Sequence, residues 1–272
     1  MIRSAVTISI VEQARKGPFV FHGDVAEGCR TAAELGFDAV ELFAESADAI
    51  SALPLEELLE RYQLKLAAVG TGAGMVVHGL SLCDADQTRR AQACDFIRGI
   101  IDAGARFGAP AIIGSMQGKW DDKTDKATAI GYLRDCLNEL GEHAKQHDVP
   151  LIYEPLNRYE TNLATTMAEG VELLKPLATD GVLLLADLFH MNIEEADIAG
   201  ALRDGGKHIG HVHFVDSNRQ AAGRGHIDFA PVAQALADIG YQGYCSAEAF
   251  PIPDSVEAAR QTMETFRSVF QS

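Results

Sequence analysis

Cationic side chains are scarce in this chain: 23 Lys+Arg stand against 39 Asp+Glu, a formal net charge of −16. A nucleic-acid groove needs clustered cations, and so does docking on anionic lipid, so this balance argues against both partners. Long apolar runs are missing too, none approaching the roughly 18 residues of a membrane span. The opening MIRSAVTISIVEQ holds too short an apolar run for a secretory leader, and no small-residue cleavage pattern follows it. Cysteines number five and form no C-x-x-C pair. They are read as buried thiols in a reducing cytoplasm rather than as a disulfide or zinc framework. Pro/Ser-rich linkers and low-complexity tracts are absent as well, so one domain over residues 1–272 is expected.

What is present is alternation. Eight short β-branched runs begin at Ala5, Asp38, Lys65, Pro110, Val149, Val182, Ile209 and Tyr244, separated by longer amphipathic stretches. Eight runs over 272 residues leave about 34 residues per unit, room for a strand, a helix and two loops. The pattern predicts an α/β fold with a parallel sheet, a single-domain (β/α)8 TIM barrel, with a doubly wound open sheet as the alternative. Gly36, Gly108 and Gly240 fall where a helix should end just before a strand, a position that favours positive φ. Val256, Ala259, Met263, Phe266 and Phe270 recur at helical spacing and predict a core-facing stripe on a last helix over about 254–270.

In such a barrel the chemistry sits at the C-terminal strand ends, so the informative residues are polar ones that terminate apolar runs. Glu154 ends LIYE, Asp187 ends LLLAD, His213 lies in HVHFVD and Glu248 in CSAEAF, at successive spacings of 33, 26 and 35. They come from strands five to eight. Burying them unpaired would be costly, and a shared divalent cation removes that cost. Three oxygens and one nitrogen suit Mn²⁺ best, with Co²⁺ or Mg²⁺ as alternatives, rather than structural Zn²⁺. Glu154, Asp187 and His213 each have a polar neighbour at loop distance: Glu160, His190 and Arg219. The bland reading, four separately satisfied polar groups in a barrel layer, needs a coincidence at four strand ends.

The stretches IYEPLNRYETN (152–162), DLFHMNIEE (187–195), HVHFVDSNR (211–219), GRGHIDF (223–229) and AEAF (247–250) resemble the ketose 3-epimerases. That is the D-tagatose/D-allulose (D-psicose) 3-epimerase group of the xylose-isomerase-like sugar isomerase/epimerase superfamily. The motifs span about the C-terminal 120 residues; the first half shows general superfamily character. The resemblance implies that Glu154, Asp187, His213 and Glu248 bind the metal. It also implies that Glu154 and Glu248 form the acid/base pair, and that Glu160, His190 and Arg219 hold O1 and O2 of the sugar. A homodimer or homotetramer is implied as well. Val215-Asp216-Ser217-Asn218-Arg219 departs from the Gly-Asp-Asn-Asn-Arg-like turn of the family, Arg219 keeping its spacing. That departure leaves the sugar open and admits keto-sugar acids.

The expected activity is inversion at C3 of a free ketose through an ene-diolate, one glutamate removing a proton and the other returning one. Alternatives on the same site are an aldose–ketose isomerase of hydroxypyruvate type and a keto-sugar-acid epimerase. An endonuclease of the same superfamily would need a multi-zinc cluster and a basic groove, and a non-catalytic sugar binder would not need the acid/base pair. Gly70-Thr71-Gly72-Ala73-Gly74 lacks the dinucleotide spacing and is read as a flexible loop over the mouth. His78 and Trp120 are placed in loops facing that mouth, Trp120 either as a cap on the sugar or as cover for a subunit contact. His211 shares a strand face with His213, as a partner of it or as a core histidine. His226 is read as organising the loop before the seventh helix.

Overall fold

Each of the eight apolar runs forms a strand, and the strands pair in chain order until the ring closes. The computed structural model describes residues 1–271. The strands are β1 (Arg3–Ser9), β2 (Ala39–Phe43), β3 (Lys65–Gly70), β4 (Ala111–Ile113), β5 (Leu151–Tyr153), β6 (Val182–Asp187), β7 (Ile209–His213) and β8 (Tyr244–Ala247). All pairings are parallel, and β1 meets β8 with Arg3 opposite Tyr244 and Val6 opposite Ala247. The result is a closed barrel, not an open sheet. A two-residue strand, Phe21–His22, pairs in parallel with Ile8 and Ser9 at the end of β1 and was not foreseen.

After the strands come helices α1 (Val25–Leu35), α2 (Leu55–Tyr62), α3 (Gln87–Ala105), α4 (Lys126–Lys145), α5 (Met167–Leu174), α6 (Ile198–Gly205), α7 (Phe229–Asp238) and α8 (Ser255–Phe270). Short polar residues start them. Asp24, Asp86, Asp125, Thr166, Asp228 and Asp254 each accept a first-turn N–H, satisfying donors that have no intrahelical partner. Gly36, Gly108 and Gly240 take φ of 86°, 68° and 68°, as their place before a strand requires. No helix among the described residues is long and apolar enough to cross a membrane.

Most of the apolar core lies between strands and helices. Two small clusters fill the barrel's interior, Ala68/Ile112/Ile152/Leu185 and Ala5/Ala39/Ala67. On α8, Ala259, Met263 and Phe266 are buried and Phe270 packs at the margin, but Val256 is 41% exposed. Val256 lies in the first turn of the helix, which corrects the predicted stripe at that position. All five cysteines are buried free thiols.

Candidate active site

The residues that end β5 to β8 meet at one mouth of the barrel. Asp187 is the last residue of β6 and also the N-cap of the short helix Leu188–Glu194. Its Oδ1 accepts the backbone N–H of Phe189 (2.8 Å) and His190 (3.1 Å), which leaves Oδ2 to face the barrel axis. That cap also fixes where His190 stands. His213 ends β7 and turns Nδ1 toward three carboxylates: 3.0 Å to Asp187 Oδ2, 3.3 Å to Glu248 Oε2 and 3.6 Å to Glu154 Oε1. One ligand atom from each of Glu154, Asp187, His213 and Glu248 lies within 4.8 Å of all the others. These four side chains are at most 14% exposed.

The far side of His213 is held by a residue that sequence reasoning did not place here. Glu41, in β2, receives His213 Nε2 at 3.2 Å and His211 Nε2 at 2.8 Å. The β2–β3 register shifts between Val40 and Glu41, a local irregularity of the kind that re-aims side chains beside active sites. Burial pushes the Glu41 carboxyl up, but the two imidazoles outweigh it and hold it well below the carboxylate range. His213 is the mirror case. Burial pushes it down, while Glu41, Asp187 and Glu154 hold it well above the usual imidazole range. Asp187 is likewise raised by burial and brought low overall by Arg219, His190 and His213.

A divalent cation suits this donor set. Three carboxylates, those of Glu154 and Asp187 buried and that of Glu248 partly so, converge on one imidazole nitrogen, and the other nitrogen of that ring is backed by a carboxylate, the arrangement that orients metal-ligating histidines. Arg219 adds a cationic side chain to the cluster. Its guanidinium bridges Asp187, at 2.5 Å, and Glu248. Arg219 has φ of +61°, a left-handed conformation costly for a side chain of this size and typical of functional loops. Asp216 holds that loop. Its carboxylate accepts N–H groups from Ser217 (2.8 Å), Gly223 (2.8 Å) and Ile227 (3.1 Å). Burial raises the Asp216 carboxyl, and those N–H groups bring it below its ordinary value.

Asp216→Ala is expected to cost about 3 kcal/mol by stranding buried donors, and to misplace Arg219. A lowered carboxyl stabilises the fold above its unfolded value and loses that contribution as pH falls through the folded value. The stability gap between wild type and variant, read by denaturant melts, therefore narrows below pH 3.8.

His190 and Glu160 are joined through Asn157. Asn157 Nδ2 donates to His190 Nδ1 (2.7 Å) and to Glu160 Oε1 (3.0 Å), and its backbone N–H also reaches His190 Nδ1 (3.3 Å). With Nδ1 accepting, the ring proton sits on Nε2, 3.7 Å from Glu154 Oε1 and free to donate into the mouth. The cavity above these groups has a volume of about 370 Å³, ample for a monosaccharide-sized ligand. Its apolar wall comes from the first half of the chain, notably Phe19, Phe43 and Val76.

Gly114, just past β4, leaves room for the carboxylate: a Cβ would stand 2.6 Å from Glu154 Oε2, which would have to move. Gly114→Ala is expected to displace the Glu154 carboxylate by up to about an ångström and lower kcat roughly 100-fold, with the circular dichroism unchanged.

Several readings of the mouth are corrected. Gly70–Gly74 is no flexible loop. It completes β3 and enters a helical turn, Ala73–Val76, with Gly70 and Gly72 giving clearance to Phe43. Trp120 does not line the cavity, which removes its reading as a sugar cap but not that as cover for a subunit contact; its backbone N–H and its indole N–H are both bound by Asn162. His78 stands against Phe96, also outside the cavity lining. His226 does join its own loop, through Ser217 Oγ.

The family model described as xylose isomerase-like TIM barrel matches residues 29–269. A D-psicose 3-epimerase of Ruminiclostridium cellulolyticum is 34% identical over 231 residues, covering 80% of this chain and 75% of that protein. A 3-dehydro-D-guloside 4-epimerase of Escherichia coli K12 is 27% identical over 259 residues, covering 91% and 96%. Among solved structures, D-psicose 3-epimerase with D-tagatose from Clostridium cellulolyticum H10 superposes with a TM-score of 0.79 at 23% identity, covering 99% of both chains.

Proposed function

Because the chain belongs to the xylose isomerase-like TIM barrel family, we propose that it is a divalent-metal-dependent epimerase inverting C3 of a free ketose. One observation carries the reading. Glu154 and Glu248 approach the same point beside His213 Nδ1 from β5 and β8, strands separated by two others round the ring. Two carboxylates reaching one carbon from different sides are what inversion requires, one taking the C3 proton and the other delivering a proton to the opposite face. Either can act first, according to which epimer is bound. A bound divalent cation, Mn²⁺ by donor set with Co²⁺ or Mg²⁺ as substitutes, supplies Lewis-acid polarisation of the substrate carbonyl. Glu154, Asp187, His213 and Glu248 would hold it. His190 donates from Nε2 to a substrate oxygen, while Glu160 and Arg219 orient the O1–O2 end.

The relatives' activities support an epimerase over an aldose–ketose isomerase. The lining of the mouth supports an uncharged sugar. Arg219 is the cationic side chain there and is engaged by Asp187 and Glu248, while Glu41, Glu154, Glu160 and Glu248 face the same space. Even with a divalent cation and Arg219 in place, these four glutamates keep the lining negative, which disfavours a sugar acid or phosphate. The same field repels a nucleic-acid strand.

Product analysis on D-fructose, D-tagatose, D-allulose and L-ribulose with Mn²⁺ tests the assignment: C3 epimers are expected. An aldose product would move the enzyme to the isomerase reading, and turnover of keto-sugar acids alone would place the substrate among them. A cytoplasmic homodimer or homotetramer belongs to the same proposal, and sedimentation in reducing buffer reads its assembly.

A further inference from the structure

A second cluster of ligating side chains stands on the outside of the barrel, away from the mouth. Helices α3 and α4 run side by side and meet through a series of polar pairs. Cys94 Sγ lies 3.0 Å from Cys136 Sγ, Arg98 pairs with Glu139, and Asp102 pairs with His143. The last of these is larger than a pair. His147, just beyond α4, also turns Nε2 to Asp102 Oδ1, at 3.2 Å, beside His143 Nε2 at 2.6 Å. The two imidazoles are four residues apart, with ring centroids 5.0 Å from each other. One ligand atom from each of the three residues lies within 4.8 Å of the other two.

We propose that Asp102, His143 and His147 form a transition-metal site of zinc type that clips α3 to α4. A tetrahedral ion with bonds of about 2.0–2.1 Å sets its ligand atoms about 3.3 Å apart. The His147–Asp102 separation already has that value, and the His143–Asp102 separation needs to widen by less than an ångström. The side chains are 22%, 39% and 50% exposed for His143, His147 and Asp102, so an ion can enter and keep a water in the open fourth position.

Chemistry separates this site from the mouth. Two imidazole nitrogens and one carboxylate oxygen favour Zn²⁺, whereas three carboxylates and one imidazole favour Mn²⁺ or Mg²⁺. Position separates them too. α3 and α4 end just before β4 and β5 begin, so the cluster lies at the face where strands start and the mouth lies where they finish. An ion bridging two helices there binds only the folded chain and therefore acts on stability, not on turnover.

The test compares chelator-treated wild type with the double variant H143Q/H147Q, each equilibrated with Zn²⁺, desalted and assayed for metal by atomic emission. Wild type is expected to retain one zinc equivalent more than the double variant. Its unfolding midpoint should rise by about 5 °C more at a zinc concentration some hundredfold above the dissociation constant. Asp102→Asn, which keeps side-chain volume, is expected to lose the same equivalent and guards against a folding defect in the double variant. Equal zinc content and equal midpoint shifts in wild type and variants would overturn the site.

Discussion

Glu154→Gln and Glu248→Gln are each expected to lower kcat by at least about 1,000-fold while the protein still folds, measured by ketose turnover beside circular dichroism. Glutamine keeps the volume and some hydrogen bonding of each side chain but cannot take a proton. A general base alone contributes on the order of 10² to 10⁴ in rate. The two losses should be alike, because inversion needs both carboxylates, and unlike in detail, because each variant keeps a different one. Glu154→Gln leaves Glu248 able to exchange the C3 proton of one epimer with solvent, and Glu248→Gln leaves Glu154 able to exchange that of the other. A variant that still epimerises at a wild-type rate would remove its glutamate from the mechanism.

Removing the divalent metal has the second large effect. Chelator-treated protein is expected to be inactive, and added Mn²⁺ to restore turnover; Zn²⁺, poorly matched to a mouth of three carboxylates and one imidazole, should restore less. Loaded protein should also be harder to unfold, by about 2.7 kcal/mol at a metal concentration 100 times the dissociation constant, as read by urea melts. The fold is expected to survive removal of the metal. Arg219 spans Asp187 and Glu248, so the carboxylates are not left facing one another uncompensated. Full activity after exhaustive chelation would contradict this part of the account.

The barrel was legible because its signals are local and repeated. Eight apolar runs and the glycines at Gly36, Gly108 and Gly240 each act over a few residues, and the closed ring follows from their number and order. The convergence of Glu154, Asp187, His213 and Glu248 was legible for a related reason: in a closed parallel barrel, strand ends meet whatever the loops do. Glu41 escapes that rule, because it lies in the middle of the apolar run AVELF and does not end it. Its partners, His211 and His213, lie 170 and 172 residues away.

Less legible were the groups whose role depends on loop shape. Asn157 links Glu160 to His190 only because the turn after β5 folds back on the helix that Asp187 caps. Asp216, inside a turn whose departures are Val215 and Ser217, drew no role from the sequence and proves to be the anchor of the loop that carries Arg219. Gly70–Gly74 reads as flexible by composition, yet Phe43 and Met116 press against those glycines and require them for close packing. Composition cannot distinguish a glycine that loosens a chain from one that makes room for a neighbour.

The central claim, proton transfer at C3 by two glutamates, is tested most directly by proton NMR of the Mn²⁺-loaded enzyme turning over a ketose in D₂O. The account predicts that the new epimer appears with deuterium at C3, that C1 keeps its protons, and that early in the reaction the recovered substrate is still unlabelled. Deuterium at C1, or an epimer formed with its C3 proton retained, would contradict it.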